Sequence, residues 1–392
     1  MVALCVLALA GGALVATYVF DRLPHVEDEV AFLFQARTLA SGQIVAKAPV
    51  LPEFFAMPFI MALDGQWFGK YPPGYPAVLA LGALAGQPWL INPLFGALSV
   101  GLVYVAGRRF FGSPTGLLAA ALTVASPFFL LQAGSALSHV VTLFWSLAFM
   151  LLFDAARRKS SEPAAWAAGG ALGMLILSRP LTAVGIAIPF VLWAGMDILV
   201  APRHVKRYLP MVPGALLFLA GLLAYNHLTT GDSFRTAYQL YWPYDRIGFG
   251  EGLGSLGEHT LEEGLLITSL NVEALADYLF GWPGRLSLIP AVLAAAFALA
   301  RLAWRGVHRW MRPNVLGWAI SLAGQAETGQ PQETGRRPET GHRPVSTEGG
   351  EGGAPIRRDA PVGRLPWGAG ETEPLETSHG GETGHRPVSP EG

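Results

Sequence analysis

Eight stretches of this chain are apolar over lengths that suit or approach a bilayer crossing: Val2–Phe20, Asn92–Ala106, Thr115–Leu131, Leu137–Phe153, Ala164–Leu177, Leu181–Val200, Leu209–Ala224 and Leu286–Trp304. A hydrocarbon core about 30 Å thick takes roughly 20 helical residues to cross. No water is available there, so each backbone polar group must be satisfied within the segment, and a helix does this. Val2–Phe20 carries no charge and lacks the basic opening of a signal peptide, so it reads as a retained helix. The Gly, Pro, Ser and Thr scattered through the other runs suit close helix packing in lipid.

Composition agrees. The chain is 52% hydrophobic and 14% charged, where a soluble domain carries about 25% charge. Its one cysteine, Cys5, lies in an apolar run, which excludes a disulfide framework or a cysteine metal cluster. The end of the chain is different material. Residues 322–392 hold 7 of the 27 Lys+Arg and 11 of the 28 Asp+Glu, and ETGHRPVS at Glu339–Ser346 recurs at Glu382–Ser389. With almost nothing to bury, the tail (321–392) is expected to be disordered. Neither part is charged strongly enough to suggest nucleic acid as a partner. The expected fold is therefore an all-α integral membrane protein: a polytopic helical bundle over residues 1–320, followed by a disordered C-terminal tail.

Two long polar stretches interrupt the apolar runs, at about 21–75 and 226–285, and connections of this length are usually functional or disordered. The second is rich in aromatics, which argues for order. Lys and Arg favour the cytoplasmic side. The clusters Arg108–Arg109, Arg157–Lys159, Arg203–Arg207 and Arg301–Arg312 share one side only if Pro76–Ala85 is a short helix on or dipping into the membrane. That arrangement gives eight crossings, an inside N-terminus and both long loops outside.

Candidate chemistry lies in those loops and at the outer helix ends. Glu27, Asp28 and Glu29 precede a helix-prone run, Ala31–Ala40. They suit the N-terminus of an interfacial helix whose Phe32, Leu33, Gln35, Ala36 and Leu39 face the membrane surface. Alternatively, Asp28 and Glu29 project into a cavity, one as general base and the other orienting it or holding a cation. In Trp67–Pro76, Lys70 is a compact cation able to meet phosphate, aimed by Pro72 and Pro73; a Trp/Tyr belt with a snorkelling lysine is the plainer account. Arg179 falls on the outer side, against the general bias, where it contacts a phosphate or a lipid headgroup. His139 alone reads more readily as a satisfied buried histidine. Tyr225-Asn226, Thr230-Gly231-Asp232, Tyr244-Asp245-Arg246 and Glu258-His259-Thr260 suit a pocket for a polar acceptor, although turn chemistry also accounts for Gly231-Asp232.

At these residues the sequence resembles the GT-C class of integral-membrane glycosyltransferases, in particular bacterial protein O-mannosyltransferases and lipid A aminoarabinose transferases. The matching elements are Asp28-Glu29 with Phe32 and Ala36, Lys70 to Pro76, Ser138-His139, Ser178-Arg179-Pro180, and Tyr225-Asn226 with Thr230-Gly231-Asp232. The resemblance covers roughly residues 20–285. It implies transfer of a sugar from a polyprenyl-phosphate donor to a glycan, lipid or protein acceptor on the extracytoplasmic face of the plasma membrane. It also implies Asp28 as the base, Glu29 as its partner, and Lys70 as a donor-phosphate contact, although Tyr71 intervenes before the Pro-Pro pair. Arg179 joins Lys70 at the phosphate, and Tyr71, His139, Tyr225, Asn226, Tyr244 and His259 line the substrate pocket. Some members use a divalent cation (Mg or Mn) and others none, so a metal stays open. Relatives commonly have more spans and an external C-terminal domain, so the resemblance reads this chain as a shortened member, with an inactive homologue as one alternative. A transporter or flippase of a lipid-linked or anionic solute is another. It requires ionisable residues deep within spans, and the apolar runs here are nearly free of them.

Overall fold

The computed structural model describes residues 1–301 and 303, apart from 245, 247, 255 and 256. Asp245, the basic run beyond Arg301, the end of the last expected span at Trp304 and the tail 321–392 therefore lie outside the described residues. The chain divides into two units, Met1–Val315 and Leu316–Gly392, and every described residue belongs to the first.

Six described helices are long and apolar enough to cross a membrane: Val2–Val19 (α1), Pro88–Phe111, His139–Lys159 (α7), Pro180–Val200 (α9), Met211–Thr230 (α11) and Pro283–Arg301. The second consists of a short turn followed by α4, Ile91–Phe111. A seventh crossing arises if α5 (Ser113–Val124) and α6 (Pro127–Gly134), bent by 64°, count as one span. The bend has a local cause: Pro127 begins α6, and the Ser126 hydroxyl caps it by accepting from Phe129 N at 3.1 Å. The eighth expected span is α8, Glu162–Ser178, whose 17 residues reach only about 25 Å. It nevertheless runs back along α7. Ser160–Ser161 joins the two helices at one end, and Arg179 meets His139 at the other. The chain is thus a multi-pass membrane protein.

Close packing rests on glycine. A Cβ on Gly169 would collide with the Met211 carbonyl and one on Gly173 with the Phe218 ring, so α8 and α11 approach closely, backbone on backbone at Gly169 and backbone on ring at Gly173, four residues apart. In contrast, α9 leaves Leu181, Val184, Ile188, Val191 and Leu192 exposed, a surface suited to hydrocarbon.

The first long stretch is built, not floppy. Helix α2 spans Glu27–Ala40, with all three acids in its first turn. Strands β1 (Ala46–Lys47), β2 (Ile60–Leu63) and β3 (Gln66–Gly69) form an antiparallel sheet in the order β1-β3-β2. Asp64 and Gly65 close the β2–β3 hairpin with φ of 49° and 75°, the left-handed pair that a tight hairpin turn takes. Strand β3 feeds straight into Lys70 and Tyr71, and then into α3, Gly74–Leu84.

One expectation is corrected here. The apolar side of α2 does not lie on the membrane surface: Ala31, Phe32 and Ala36 are buried with Tyr71, Tyr75 and Leu79 of the following segment. Helix α3 is likewise packed against the protein along one side, while its Leu81 and Leu84 are exposed. Its Tyr75, Pro76, Val78 and Leu79 are buried, and its first turn abuts the end of α8 so closely that a Cβ on Gly74 would sit 2.7 Å from the Leu177 carbonyl. In both cases the aromatic rings of Phe32, Tyr71 and Tyr75 give the helices a partner within the protein, and ring-on-ring burial competes well with the headgroup layer.

Candidate active site

The start of α2 is fixed by Glu29. This residue is 3% exposed, and its two carboxylate oxygens accept from His25 N at 2.6 Å and Ala136 N at 2.7 Å. The acid thus ties the first long polar stretch to the turn between α6 and α7. Asn92 holds the same turn from below, donating through Nδ2 to the Ser135 and Leu137 carbonyls at 2.6 and 2.7 Å. With both anchors in place, the half-buried Asp28 stands at the rim, and its Oδ1 accepts a short hydrogen bond from the Tyr71 hydroxyl.

Tyr71 is itself positioned. Gln35 on the inner side of α2 donates through Nε2 to the Tyr71 carbonyl at 2.8 Å and to the Tyr225 hydroxyl at 2.9 Å. The Tyr71 ring packs on Phe32 with centroids 4.2 Å apart. Burial, and after it the bond to Asp28, pushes the Tyr71 phenol well above its usual range, so it stays a neutral donor to the carboxylate. Sequence reasoning missed Gln35, assigning it to a membrane-facing side. The available signal was its place among Ala31, Phe32 and Ala36, where a polar side chain must find partners once buried.

Lys70 is 3% exposed, and aromatic rings surround its ammonium. Nζ lies 3.3 Å from the Phe59 centroid and 3.7 Å from that of Trp242, with Tyr71, Tyr238 and Tyr241 within 5.7 Å. Each ring face attracts the cation, and more strongly where water is excluded. Phe59 and Tyr71 belong to the first long stretch and the other three rings to the second, so this cage clasps the two together.

On the facing side, Arg179 Nη1 lies 2.7 Å from His139 Nδ1 and 3.4 Å from Ser138 Oγ. An arginine cannot accept, so Nδ1 must, which makes this the unprotonated nitrogen. The Asp28 carboxylate is close enough to the imidazole to act on it electrostatically. Asp28, Tyr71, Lys70, His139 and Arg179 therefore gather at one end of the bundle.

Other candidates fall elsewhere. Asn226 Nδ2 donates to the Ser233 carbonyl at 3.1 Å, and Gly231 ends α11 at φ 76°, so this motif shapes a turn. Tyr244 stacks on Trp242, one ring out from Lys70. His259 stacks on Phe249 and lies 3.6 Å from Glu263. Thr260 and Glu263 cap helix α13, Leu261–Tyr278, reciprocally. Among the described residues no three His, Cys, Asp or Glu side chains converge to hold a metal. Both Glu29 oxygens are engaged by backbone N–H groups, so the Asp28–Glu29 pair does not fit a divalent cation.

A cavity of about 480 Å³ opens beside His139, lined mainly by apolar groups including Phe128, Phe129, Leu143 and Phe280, with Gln132 among them.

Residues 72–225 match the family model for dolichyl-phosphate-mannose-protein mannosyltransferases. The match supports a membrane glycosyltransferase of the GT-C type. It takes in His139, Arg179 and Tyr225, while Asp28, Glu29, Lys70 and Tyr71 precede it. A glycosyltransferase of this type implies a lipid-linked sugar donor and an acceptor. No curated protein and no solved structure matches the chain.

Proposed function

We propose that this glycosyltransferase moves a sugar from a polyprenyl-phosphate donor to an acceptor at the extracytoplasmic face of the plasma membrane, with inversion at the anomeric carbon. The observation that carries the reading is the placement of Asp28: a rim carboxylate, held by a neutral phenol, across from an arginine paired with an imidazole and a hydroxyl. The acceptor hydroxyl gives its proton to Asp28 as its oxygen bonds to the anomeric carbon. The carbon–oxygen bond to phosphate breaks on the opposite face, and polyprenyl phosphate leaves with the electron pair. Arg179 meets that phosphate directly, and this charge stabilisation is commonly the largest contribution to such catalysis. Lys70, enclosed by rings, adds positive potential from behind Tyr71 and fixes that residue. Glu29 orients Asp28 by anchoring the start of α2. The apolar cavity beside His139 suits a prenyl chain.

Orientation supports the same reading. Arg108, Arg109, Arg157, Arg158, Lys159, Arg203, Lys206 and Arg207 all lie at the ends of helices, or in turns, remote from Asp28, a bias that favours an inside position for that end and an outside one for Asp28.

The test uses the purified full chain with a panel of polyprenyl-phosphate sugars. General-base assistance is worth about 10²–10⁴-fold, so Asp28→Asn should lose that much turnover while still binding donor. Transfer at the parental rate by Asp28→Asn would remove Asp28 as the base.

A further inference from the structure

At the end of the bundle remote from Asp28, the acids of α7 and α9 are already matched. Asp154 accepts from Arg109 at 2.8 Å and Arg158 at 2.6 Å. Asp197 accepts from Arg157 at 2.7 Å and from the Tyr208 hydroxyl at 2.6 Å. Arg203, Lys206 and Arg207 join neither group. They line a cavity of about 320 Å³ together with His204 and the turn Ser160–Glu162. Glu162 is the one acid on its wall, so three cations face a single carboxylate.

The surroundings of this cavity are apolar and uncovered. Leu199 and Val200 are each 85% exposed at the end of α9, and Leu209 and Val212 are exposed where α11 begins. Cations at the tip of the bundle beside bare aliphatic surface match an amphiphile with an anionic head. Its chains lie along Leu199, Val200 and Leu209, and its head reaches the guanidinium groups. Arginine takes phosphate oxygens in pairs and lysine adds a point charge, and basic pockets between spans are where such headgroups settle.

We propose that this cavity binds the phosphate of an anionic phospholipid from the adjoining leaflet. The site is independent of the transferase reading and lies a full helix away from it, since α7 separates His139 from Lys159 by about 30 Å. Glu162 opposes the ligand, so the affinity is below what the three cations alone would give.

Full-length protein in neutral detergent is titrated with dioctanoyl phosphatidylglycerol, dioctanoyl phosphatidylcholine and inorganic phosphate, with bound species resolved by native mass spectrometry. Phosphatidylglycerol should bind saturably and the other two weakly. Arg203→Gln, Lys206→Gln and Arg207→Gln should each weaken it about fivefold. Glu162→Gln should tighten it severalfold, a gain that damage to the fold does not produce. Arg108→Gln removes an exposed cation at the same end but outside the cavity, and should change nothing. Equal losses in Arg108→Gln and Arg207→Gln would reduce the effect to diffuse surface charge. Equal binding of phosphatidylcholine, binding of inorganic phosphate as tight as that of the lipid, or no gain in Glu162→Gln would each overturn the proposal.

Discussion

The two ends of the bundle hold their carboxylates in opposite ways. At one, guanidinium meets carboxylate: Arg109 and Arg158 on Asp154, Arg157 on Asp197. At the other, Asp28 takes a phenol, Glu29 takes two backbone N–H groups, and Arg179 meets an imidazole and a hydroxyl in place of an acid. A matched pair has spent its field on its partner and serves as a fastening. An arginine whose neighbours are neutral keeps its charge for something that arrives, and a carboxylate held by one phenol still has lone pairs to offer. The difference separates structural from reactive polarity without reference to any family.

The sharpest way to break that contrast is to remove one carboxylate at each end. Asp28→Asn should cost about 10²–10⁴-fold in turnover and little in thermal stability. Asp154→Asn should show the reverse, with normal turnover per folded molecule. It should lose about 1–3 kcal/mol of stability, since Asp154 is buried but its arginines are partly exposed. Parallel measurements of kcat and Tm decide it; a turnover collapse in Asp154→Asn would erase the distinction.

Glu29 tests the assignment within the Asp28 end. Glu29→Gln keeps one acceptor oxygen and turns an NH₂ group towards the second backbone N–H. The expected loss is about 2–3 kcal/mol in stability, with kcat altered far less than by Asp28→Asn. A Glu29→Gln protein as stable as the parent but inactive would instead make Glu29 part of the chemistry.

Arg179→Gln should then lower kcat/KM by about 10–100-fold, the worth of one charge-assisted contact to phosphate, and weaken donor binding in equilibrium measurements. Undiminished donor affinity would leave Arg179 as a partner of His139 and nothing more.

Much of this contrast was legible in the sequence. Apolar length located the helices, because a spanning segment must be both long and uncharged, and the eight runs correspond to seven helices and the bent pair α5–α6. The three acids before Ala31 fell in the first turn of α2, as helix-end electrostatics predicts. What stayed hidden depends on contacts between distant segments. Gln35 and Tyr225 are 190 positions apart, and nothing local announces their hydrogen bond. The rings around Lys70 come from two stretches separated by several spans, so the lysine read as outward-reaching when its ammonium is in fact enclosed. The membrane-facing reading of α2 failed for the same reason: amphipathicity shows that a helix has an apolar side, and only the fold shows what covers it.

The smallest effect compares tyrosines. Each end has one that donates to a carboxylate, Tyr71 to Asp28 and Tyr208 to Asp197, and burial raises both phenols. For Tyr208, burial and then the bond to Asp197 push the value up to about 12, whereas an unfolded tyrosine ionises near 10. Above pH ~10 the unfolded chain sheds a proton that the folded chain keeps, so folding loses ground as pH rises from about 10 towards 12. Below pH ~10 the contribution is complete and constant. Tyr208→Phe should therefore sit about 1 kcal/mol below the parent at pH 7, for the lost hydrogen bond, and the gap should narrow between pH 10 and 12. Thermal melts of both proteins at pH 7, 9, 10 and 11 measure it. A gap that widens with alkalinity would mean that Asp197 does not hold the Tyr208 proton, and the matched end of the bundle would then be less tightly fastened than its distances indicate.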